Sequence, residues 1–212
     1  MKASNYKYLI AIIFIFLGEQ IAAEDRIVIN FESPPSLNQE AKLIQNIKNY
    51  NSVQSIENYL MQQNWIENFL IKSSFFGKFH QIFIQSKKPK YVWKDKFYID
   101  SQVSTFAYDG GYPDLMRLDM PLEYLTFWIK AENQYITLFN DLSLTIRSVG
   151  FQPAVGWYLI TSDALRVNLG DELSNDTYQK LSFTLKYMFE NNLTPSIIDL
   201  RYKAGAALNY GK

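Results

Sequence analysis

The sequence contains no cysteine and a single histidine among its 212 residues. Without cysteine it can form no disulfide framework, no thiolate nucleophile and no cysteine-ligated zinc or iron–sulfur site. One imidazole leaves little for a histidine-rich metal site, and a Ser-His-Asp triad would have to use His80. His80 stands at the start of a predicted strand, so we interpret it as a structural strand residue rather than a catalytic base.

An excess of charge of either sign is also missing, because 21 Lys and Arg residues balance 21 Asp and Glu residues. Nucleic-acid affinity comes largely from Lys and Arg that neutralise phosphates, so a neutral chain gives no broad electrostatic reason to bind nucleic acid. Core-forming residues are plentiful, at 48% hydrophobic and 16% aromatic, which excludes a disordered chain. At about 100 to 200 residues per domain, the length allows one large or two small domains.

Recognisable catalytic signatures are absent as well. The sequence has no G-x-S-x-G elbow, no G-x-x-x-x-G-K-[ST] phosphate loop, no H-E-x-x-H and no G-x-G-x-x-G. The acidic stretch at residues 171–176 lacks calcium-loop spacing and stands at a predicted helix start, where acidic and capping residues belong. We predict no metal, no cofactor and no small-molecule substrate. One enzymatic alternative stays open, an exported carboxylate-dependent cell-wall glycan hydrolase, although the spacing of Asp109, Asp114 and Glu123 marks no pair.

The amino terminus carries an apolar run at residues 8–18, preceded by Lys2 and Lys7. Basic residues before such a run leave the short tail in the cytoplasm and send the rest of the chain across the membrane. A spanning helix needs about 17 to 25 apolar residues, so the run must extend towards Ala23 to span, and it also resembles a signal-peptide core. We predict a cytoplasmic tail and signal anchor at residues 1–23, with cleavage as the open alternative and a periplasmic bulk in both cases.

Residues 24–88 have the pattern of a β-α-α-β-β unit. Asn51 and Ser52 are suitable N-caps for the second helix, and Gly77 suits the turn between the last two strands. A three-stranded sheet backed by two helices is enough to bury one shared core. The predicted strands cover residues 27–31, 65–74 and 79–85, and the predicted helices have apolar stripes at residues 43–50 and 53–60.

Residues 89–212 are predicted to form a second, α+β domain with an antiparallel sheet and flanking helices. The boundary is set at the Lys-Lys-Pro-Lys interruption, residues 87–90, because proline cannot donate to a central ladder. The predicted strands cover residues 91–93, 97–100, 143–149, 157–161, 165–169, 197–202 and 206–210, and the predicted helices have apolar stripes at residues 131–142 and 178–188.

Three phrases in a fixed order carry a family resemblance. N-W-I-E-N at residues 64–68 leads to P-K-Y-V-W-K-D at 89–95, G-W-Y-L-I at 156–160 is followed by L-R-V-N-L-G at 165–170, and I-D-L-R-Y-K-A-G-A-A-L-N-Y closes the series at 198–210. In this order they resemble the bacterial cell-division family FtsQ, called DivIB in Gram-positive bacteria. The last phrase is the most specific, because it is similar to the family's terminal D-L-R-Y…G-A-A hairpin.

The resemblance implies a non-enzymatic, single-pass inner-membrane protein of the divisome. Residues 24–88 would be its POTRA domain and residues 89–212 its β domain. It implies an essential-type scaffold that links early and late division proteins, binds FtsB-like and FtsL-like proteins in the periplasm, and helps control septal peptidoglycan synthesis. Its terminal strands would bind FtsB by strand addition, in which a partner segment completes the free N–H and C=O groups of an edge strand.

The resemblance also implies a set of partner-binding residues, Arg201, Tyr202, Ala204, Gly205 and Tyr210. Arg201 is similar to an arginine that meets an acidic partner residue, and Tyr202 to the aromatic contact beside it. Ala204 replaces a serine common in the family, and Tyr210 replaces a tryptophan. Tyr and Arg are residue types favoured at interface hot spots. From the residues alone, the alternative is that Arg201 and Tyr202 simply face solvent and core on a strand.

Two positions depart from the family pattern. Asp171 stands where the family often has arginine, and Ser86 stands where a glutamate commonly precedes the proline turn. We therefore expect charge contacts at these two positions to differ from those of the family. Besides the hydrolase, a third interpretation is a POTRA-bearing, chaperone-like module that binds secreted or outer-membrane clients.

Overall fold

The computed structural model describes residues 26–74, 79–203 and 205–211. Within these ranges the chain forms two compact units. The first comprises the residues up to Pro89 together with Asp100–Tyr112, and the second comprises Lys90–Ile99 and the residues from Pro113 onwards. The predicted anchor at residues 1–23 lies outside the described residues. Each unit combines helices with a sheet, which confirms a mixed α+β protein.

The first unit has the predicted β-α-α-β-β order. Its elements are β1 Arg26–Ser33, α1 Leu37–Ile47, α2 Val53–Met61, β2 Ile66–Ser73 and β3 Phe79–Ser86. Helix α1 begins at a capping box, in which the Ser36 side chain accepts from the Gln39 amide and the Gln39 side chain accepts from the Ser36 amide. Helix α2 begins after Ser52, one of the two predicted N-caps, whose side chain accepts from the Ser55 amide.

Strand β3 lies in the centre of the three-stranded sheet, whose order is β1-β3-β2. It runs parallel to β1 and antiparallel to β2. Parallel pairing with β1 follows from the two-helix crossover, whereas the short connection between β2 and β3 suits a hairpin. The buried side chains of β3 and of the two helices make the core of this unit. They include Leu43, Ile47, Ile56, Leu60, Ile82 and Ile84.

The rest of the chain supplies the second sheet. Its elements are β4 Pro89–Trp93, β5 Phe97–Asp100, β6 Thr105–Ala107, β7 Met116–Asp119, a 3-10 turn at Leu122–Tyr124, α3 Leu125–Asn140, β8 Ile146–Gln152, β9 Gly156–Thr161, β10 Arg166–Gly170, α4 Asn175–Glu190, β11 Ile197–Asp199 and β12 Ala207–Asn209. Strand β6 belongs to the segment that groups with the first unit. Strands β6 and β7 were not predicted from the sequence.

In the second unit, eight strands are ordered β12-β11-β10-β9-β8-β7-β4-β5. The prediction of an antiparallel sheet is wrong for three pairs, because β4 and β7, β7 and β8, and β10 and β11 run parallel. Helix α3 connects β7 to β8, and α4 connects β10 to β11. A helical crossover returns the chain to the starting end of the sheet, so the strands that it joins are parallel. The β8–β9, β9–β10 and β11–β12 pairs are antiparallel.

Helices α3 and α4 bury their apolar faces in one core with the sheet. Every second residue of the central strands points into this core, as the period of a strand requires. Burying one large apolar side chain contributes about 1.5 to 3 kcal/mol, so these contacts hold the terminal strands to the helices. The fully buried members include Trp128, Tyr135, Val149, Leu159, Val167, Leu181, Leu185 and Ile198.

Candidate partner-binding edge

Strand β12 is the outermost strand of the second sheet. It pairs with β11 on one side, and no strand of the described residues pairs with its other side. Both terminal strands are shorter than predicted, at Ile197–Asp199 and Ala207–Asn209 instead of residues 197–202 and 206–210. The open margin of the sheet is therefore provided by β12, while β11 lies between β10 and β12.

The hydrogen bonds of the β11–β12 hairpin show which backbone groups face outwards. The Asn209 carbonyl accepts from the Ser196 amide at 2.8 Å and from the Ser196 hydroxyl at 3.1 Å, so it points towards β11. In a planar trans peptide the next amide points the opposite way, which turns the Tyr210 N–H towards the open side. Alternation along an antiparallel strand turns the N–H and C=O of Leu208 in the same direction. The edge thus presents both donors and acceptors.

Side chains of the hairpin alternate between the core and the solvent. Leu208 lies opposite the buried Ile198 and packs against the core, whereas Ala207 and Asn209 are exposed. The side chain of Tyr210, which follows β12, is 55% exposed. The core contact of Leu208 holds the strand, and the exposed neighbours leave its outer side accessible.

Arg201 and Tyr202 lie in the turn after β11 and not within a strand. Both are exposed, and the exposed fraction of Tyr202 is 60%. Arg201 Nε donates to Asp199 Oδ1 at 2.9 Å, and its Nη2 donates to Asp199 Oδ2 at 2.5 Å. This guanidinium lowers the pKa of the Asp199 carboxyl, and the carboxylate in turn raises the pKa of Arg201. A guanidinium carries five N–H donors, so this pair does not exhaust the hydrogen-bonding capacity of Arg201.

The backbone of the same turn is held from two directions. The Leu200 amide donates to the Asn168 carbonyl of β10 at 2.9 Å. The Lys180 ammonium of α4 donates to the carbonyls of Leu200 and Tyr202 at 3.1 and 2.7 Å. Neither contact was predicted from the sequence, because Asn168 and Lys180 lie on other elements, β10 and α4, that are distant from the turn along the chain.

The connection between the turn and β12 contains two of the proposed partner-binding residues. Ala204 lies outside the described residues. Gly205 has φ of 127°, and a Cβ at this position would meet no atom within 4 Å. Glycine is therefore required here by backbone conformation rather than by lack of space.

A polar network crosses the sheet behind the turn, and sequence reasoning missed it. Asn168 Oδ1 accepts from Arg166 Nε at 2.9 Å, and Arg166 lies 4.3 Å from the ring centroid of Tyr158. The Tyr158 hydroxyl donates to Asp119 Oδ2 at 2.8 Å. Burial, followed by the hydrogen bond to Asp119, raises the pKa of Tyr158 to about 12. The available signal was the alternation of Arg166 and Asn168 with apolar residues along β10.

A groove with a volume of about 350 Å³ lies at the Arg201 end of β11. Asp171 lines it, as does Arg201, and the Asp171 carboxylate contributes to the raised pKa of Arg201. The groove therefore contains one acidic and one basic side chain, Asp171 and Arg201. The full lining is Ala154, Val155, Leu169, Gly170, Asp171, Leu200 and Arg201.

His80, Asp109 and the acidic stretch at residues 171–176, which were considered for catalysis or metal binding, have structural roles. His80 is buried, and its Nδ1 lies 2.9 Å from Ser73 Oγ on the adjacent strand. Asp109 accepts from the hydroxyl of Ser36 and from the amide of Gly111. The stretch at residues 171–176 contains the start of α4, as predicted, and Ser174 is the N-cap. Across the described ranges, no three His, Cys, Asp or Glu residues form a group that could hold a metal ion.

The membrane prediction rests on residues outside the described ranges. Within residues 26–74, 79–203 and 205–211, no helix has the length and apolar character needed to cross a bilayer.

Two curated proteins are similar to this chain, and both are named cell division protein FtsQ. The protein from Aliivibrio fischeri is 19% identical over 166 residues, covering 74% of this chain and 62% of the relative. The protein from Vibrio cholerae is 23% identical over 139 residues, covering 61% of this chain and 51% of the relative. The chain thus spans between about half and three fifths of the curated relatives that it matches.

No family model matches the chain. The two similarities support membership of the FtsQ/DivIB family, in agreement with the resemblance in the sequence. Both relatives are named as cell division proteins, and neither is named as an enzyme.

Proposed function

We propose that this chain is a non-catalytic divisome scaffold of the bacterial inner membrane. The proposal follows from the similarity to the two FtsQ proteins. Residues 1–23 would anchor it, residues 24–88 would form a periplasmic POTRA domain, and residues 89–212 would form the β domain. Its partners would be FtsB-like and FtsL-like division proteins. Through them it would link early and late division proteins and help control septal peptidoglycan synthesis.

The observation that supports this proposal best is the unpaired outer side of β12 within the described chain. An extended partner segment could bond to the outward N–H and C=O of Leu208 and to the N–H of Tyr210. Main-chain bonds of this kind give affinity, while side chains next to the edge give specificity.

Five residues next to this edge are the proposed partner-binding set, namely Arg201, Tyr202, Ala204, Gly205 and Tyr210. Tyr202 and Tyr210 expose more than half of their side-chain surface, and Arg201 retains donors beyond its pair with Asp199. Exposed tyrosines and an arginine beside an open strand are the residue types that concentrate binding energy at interfaces. Gly205 would serve by its backbone conformation, which shapes the return to β12.

Co-purification with an FtsB-like protein from the same genome tests this proposal. Tyr202→Glu and Arg201→Glu should each reduce recovery of the partner, because loss of a hot-spot contact costs on the order of 2 kcal/mol or more. Tyr187→Glu and Arg147→Glu are matched controls, since both residues are exposed and lie in the same unit; the exposed fraction of Tyr187 is 57%. Circular dichroism should show the same fold for all four variants.

Unchanged binding by both Tyr202→Glu and Arg201→Glu would contradict the assignment of this edge. The purified protein should also release no soluble fragments from peptidoglycan. Release of such fragments would instead favour the glycan-hydrolase alternative.

A further inference from the structure

We propose that Lys180 is a positioning residue for the partner-binding turn, acting on the backbone around Arg201 and Tyr202. Its effect on partner binding rests on the proposed function, whereas its effect on the turn does not. No sequence resemblance assigned a role to this lysine.

The geometry places one ammonium between two backbone carbonyls of the turn. Lys180 Nζ lies 3.1 Å from the Leu200 oxygen and 2.7 Å from the Tyr202 oxygen. Hydrogen bonds from a charged donor are shorter and stronger than bonds between neutral groups. Because carbonyls two residues apart are fixed to the same point, the conformation of the intervening Arg201 is restricted.

Regular pairing of β11 ends just before this turn. The last ladder bond on the β10 side is donated by the Leu200 amide to Asn168. Beyond it, on the helix side of the turn, the Tyr202 carbonyl accepts from Lys180. The ammonium therefore takes over the role that a neighbouring strand has along β11.

The packing of α4 holds Lys180 in place. The lysine lies in the second turn of α4, is half-buried, and is followed by Leu181 and Leu185, whose side chains are fully buried in the core. The Thr184 hydroxyl donates to the Lys180 carbonyl at 2.8 Å. A donor held by a packed helix can fix the turn, while a donor on a mobile segment could not.

The two sides of the turn then have different tasks. The side chain and the amide of Arg201 bond to Asp199, while the carbonyls of Leu200 and Tyr202 bond to Lys180. With its backbone fixed in this way, the turn holds the exposed Tyr202 side chain beside the β12 edge before a partner arrives. Such preorganisation raises affinity by reducing the ordering needed on binding.

Lys180→Met tests the inference, because methionine keeps much of the apolar stem and removes the ammonium. Lys180→Arg restores a charged multiple donor. Lys186→Met is the control for loss of a lysine from α4, since Lys186 is exposed and its ammonium lies 3.8 Å from the carboxylate of Glu190 on the same helix. All variants are compared as full-length protein by amide hydrogen exchange and by affinity for the FtsB-like partner.

We expect Lys180→Met to accelerate exchange in residues 197–203 about tenfold or more and to weaken partner binding about tenfold, because each lost bond to a charged group is a strong one. Exchange in β3 should stay unchanged. Lys180→Arg and Lys186→Met should resemble the unsubstituted protein in both measurements. This combination would support a positioning role, since a lysine that only stabilises the fold would not act on the turn alone.

Unchanged exchange in residues 197–203 of Lys180→Met would overturn the inference. Faster exchange with unchanged partner affinity would overturn its binding part, and the proposed function would stand if Tyr202→Glu still abolished binding. If the unsubstituted protein bound no partner, the proposed function would fail together with the binding part, while the exchange comparison would still decide whether Lys180 holds the turn.

Discussion

Replacement of Tyr210 by proline, compared with replacement by alanine, isolates the backbone of the open edge. Both substitutions remove the phenol ring, but only proline also removes the N–H that faces away from β11. The change suits the local backbone, because the preceding Asn209 is in a strand and residues before proline favour the extended region. The β11–β12 pairing uses the Asn209 carbonyl, which proline at position 210 leaves in place.

The expected difference follows from one hydrogen bond. If a partner strand bonds to the Tyr210 amide, proline leaves the partner's carbonyl without a donor at a site closed off from water. An unsatisfied buried acceptor costs about 1 to 3 kcal/mol. At about 1.4 kcal/mol for a factor of ten, Tyr210→Pro should bind about five- to 150-fold more weakly than Tyr210→Ala. Since the Tyr210 side chain is more than half exposed, both variants should unfold at nearly the same temperature.

Isothermal titration calorimetry of both variants with the FtsB-like partner measures this difference directly. Thermal unfolding followed by circular dichroism controls for damage to the hairpin. Equal affinities of Tyr210→Pro and Tyr210→Ala, with the fold of both preserved, would refute strand addition at this amide even if the tyrosine ring itself contributes to binding.

Three further expectations concern the fold. Ser86→Glu should lower the free energy of unfolding of the first unit by about 3 kcal/mol, measured by urea denaturation. Ser86 is buried and exchanges hydrogen bonds with Ser33, so a charge at this position would be buried without a partner. Unchanged stability would contradict this. Tyr135→Phe should raise stability by up to about 1 kcal/mol, since the buried hydroxyl has no partner among the described residues; a clear loss would show that it has one. The ion pair with Arg201 lowers the pKa of the Asp199 carboxyl in the folded state. The contribution of this pair to the free energy of unfolding is therefore present above the ordinary pKa of 3.8 and is lost as pH falls through the lower folded pKa. Asp199→Asn should therefore unfold at a lower temperature than the unsubstituted protein at pH 6, and this gap should close in acid below the folded pKa; a gap independent of pH would exclude the ion pair as its cause.

Local sequence signals predicted the elements whose stability is decided locally. Helix starts were predicted at Asn51 and Ser52 and within residues 171–176 from their capping residues, and the N-caps are Ser52 and Ser174. Helix α3 begins at Leu125, six residues before the predicted stripe that starts at Ala131. Its first turns were not predicted because they contain aromatic residues, which have no strong preference for a helix. Strand β7 has four residues and follows a loop rich in glycine and proline, so its alternation is too brief to recognise.

The pairing of strands that are distant along the chain was harder to predict from the sequence. The parallel pairing of β10 with β11 follows from the α4 crossover, but the pattern of apolar residues gives no direction to a strand. The position of β12 at the margin likewise depends on which strands pair across the whole sheet. The local pattern did predict two strands here, at residues 197–202 and 206–210, whereas only the family resemblance implied that they lie open to a partner.

The contacts of the candidate site likewise include one pair that is local in the sequence and others between distant elements. Asp199 and Arg201 are two residues apart in the sequence, so their pairing is local. The contact of Lys180 with the turn and the network of Arg166 with Tyr158 join residues on different elements. Only the packed arrangement of those elements brings them together.

Disulfide trapping at β12 tests the strand-addition claim most directly. The chain has no cysteine, so Ala207→Cys introduces a single thiol, at an exposed position of β12. Cysteines placed one at a time along the partner segment can form a disulfide only where the Cα atoms approach within about 4.4 to 6.8 Å. A partner strand paired with β12 predicts cross-links at one partner position and its alternate neighbours, because side chains on a strand alternate between faces. Cross-links at every position, at helical spacing or at none would contradict the proposal that the partner continues this sheet.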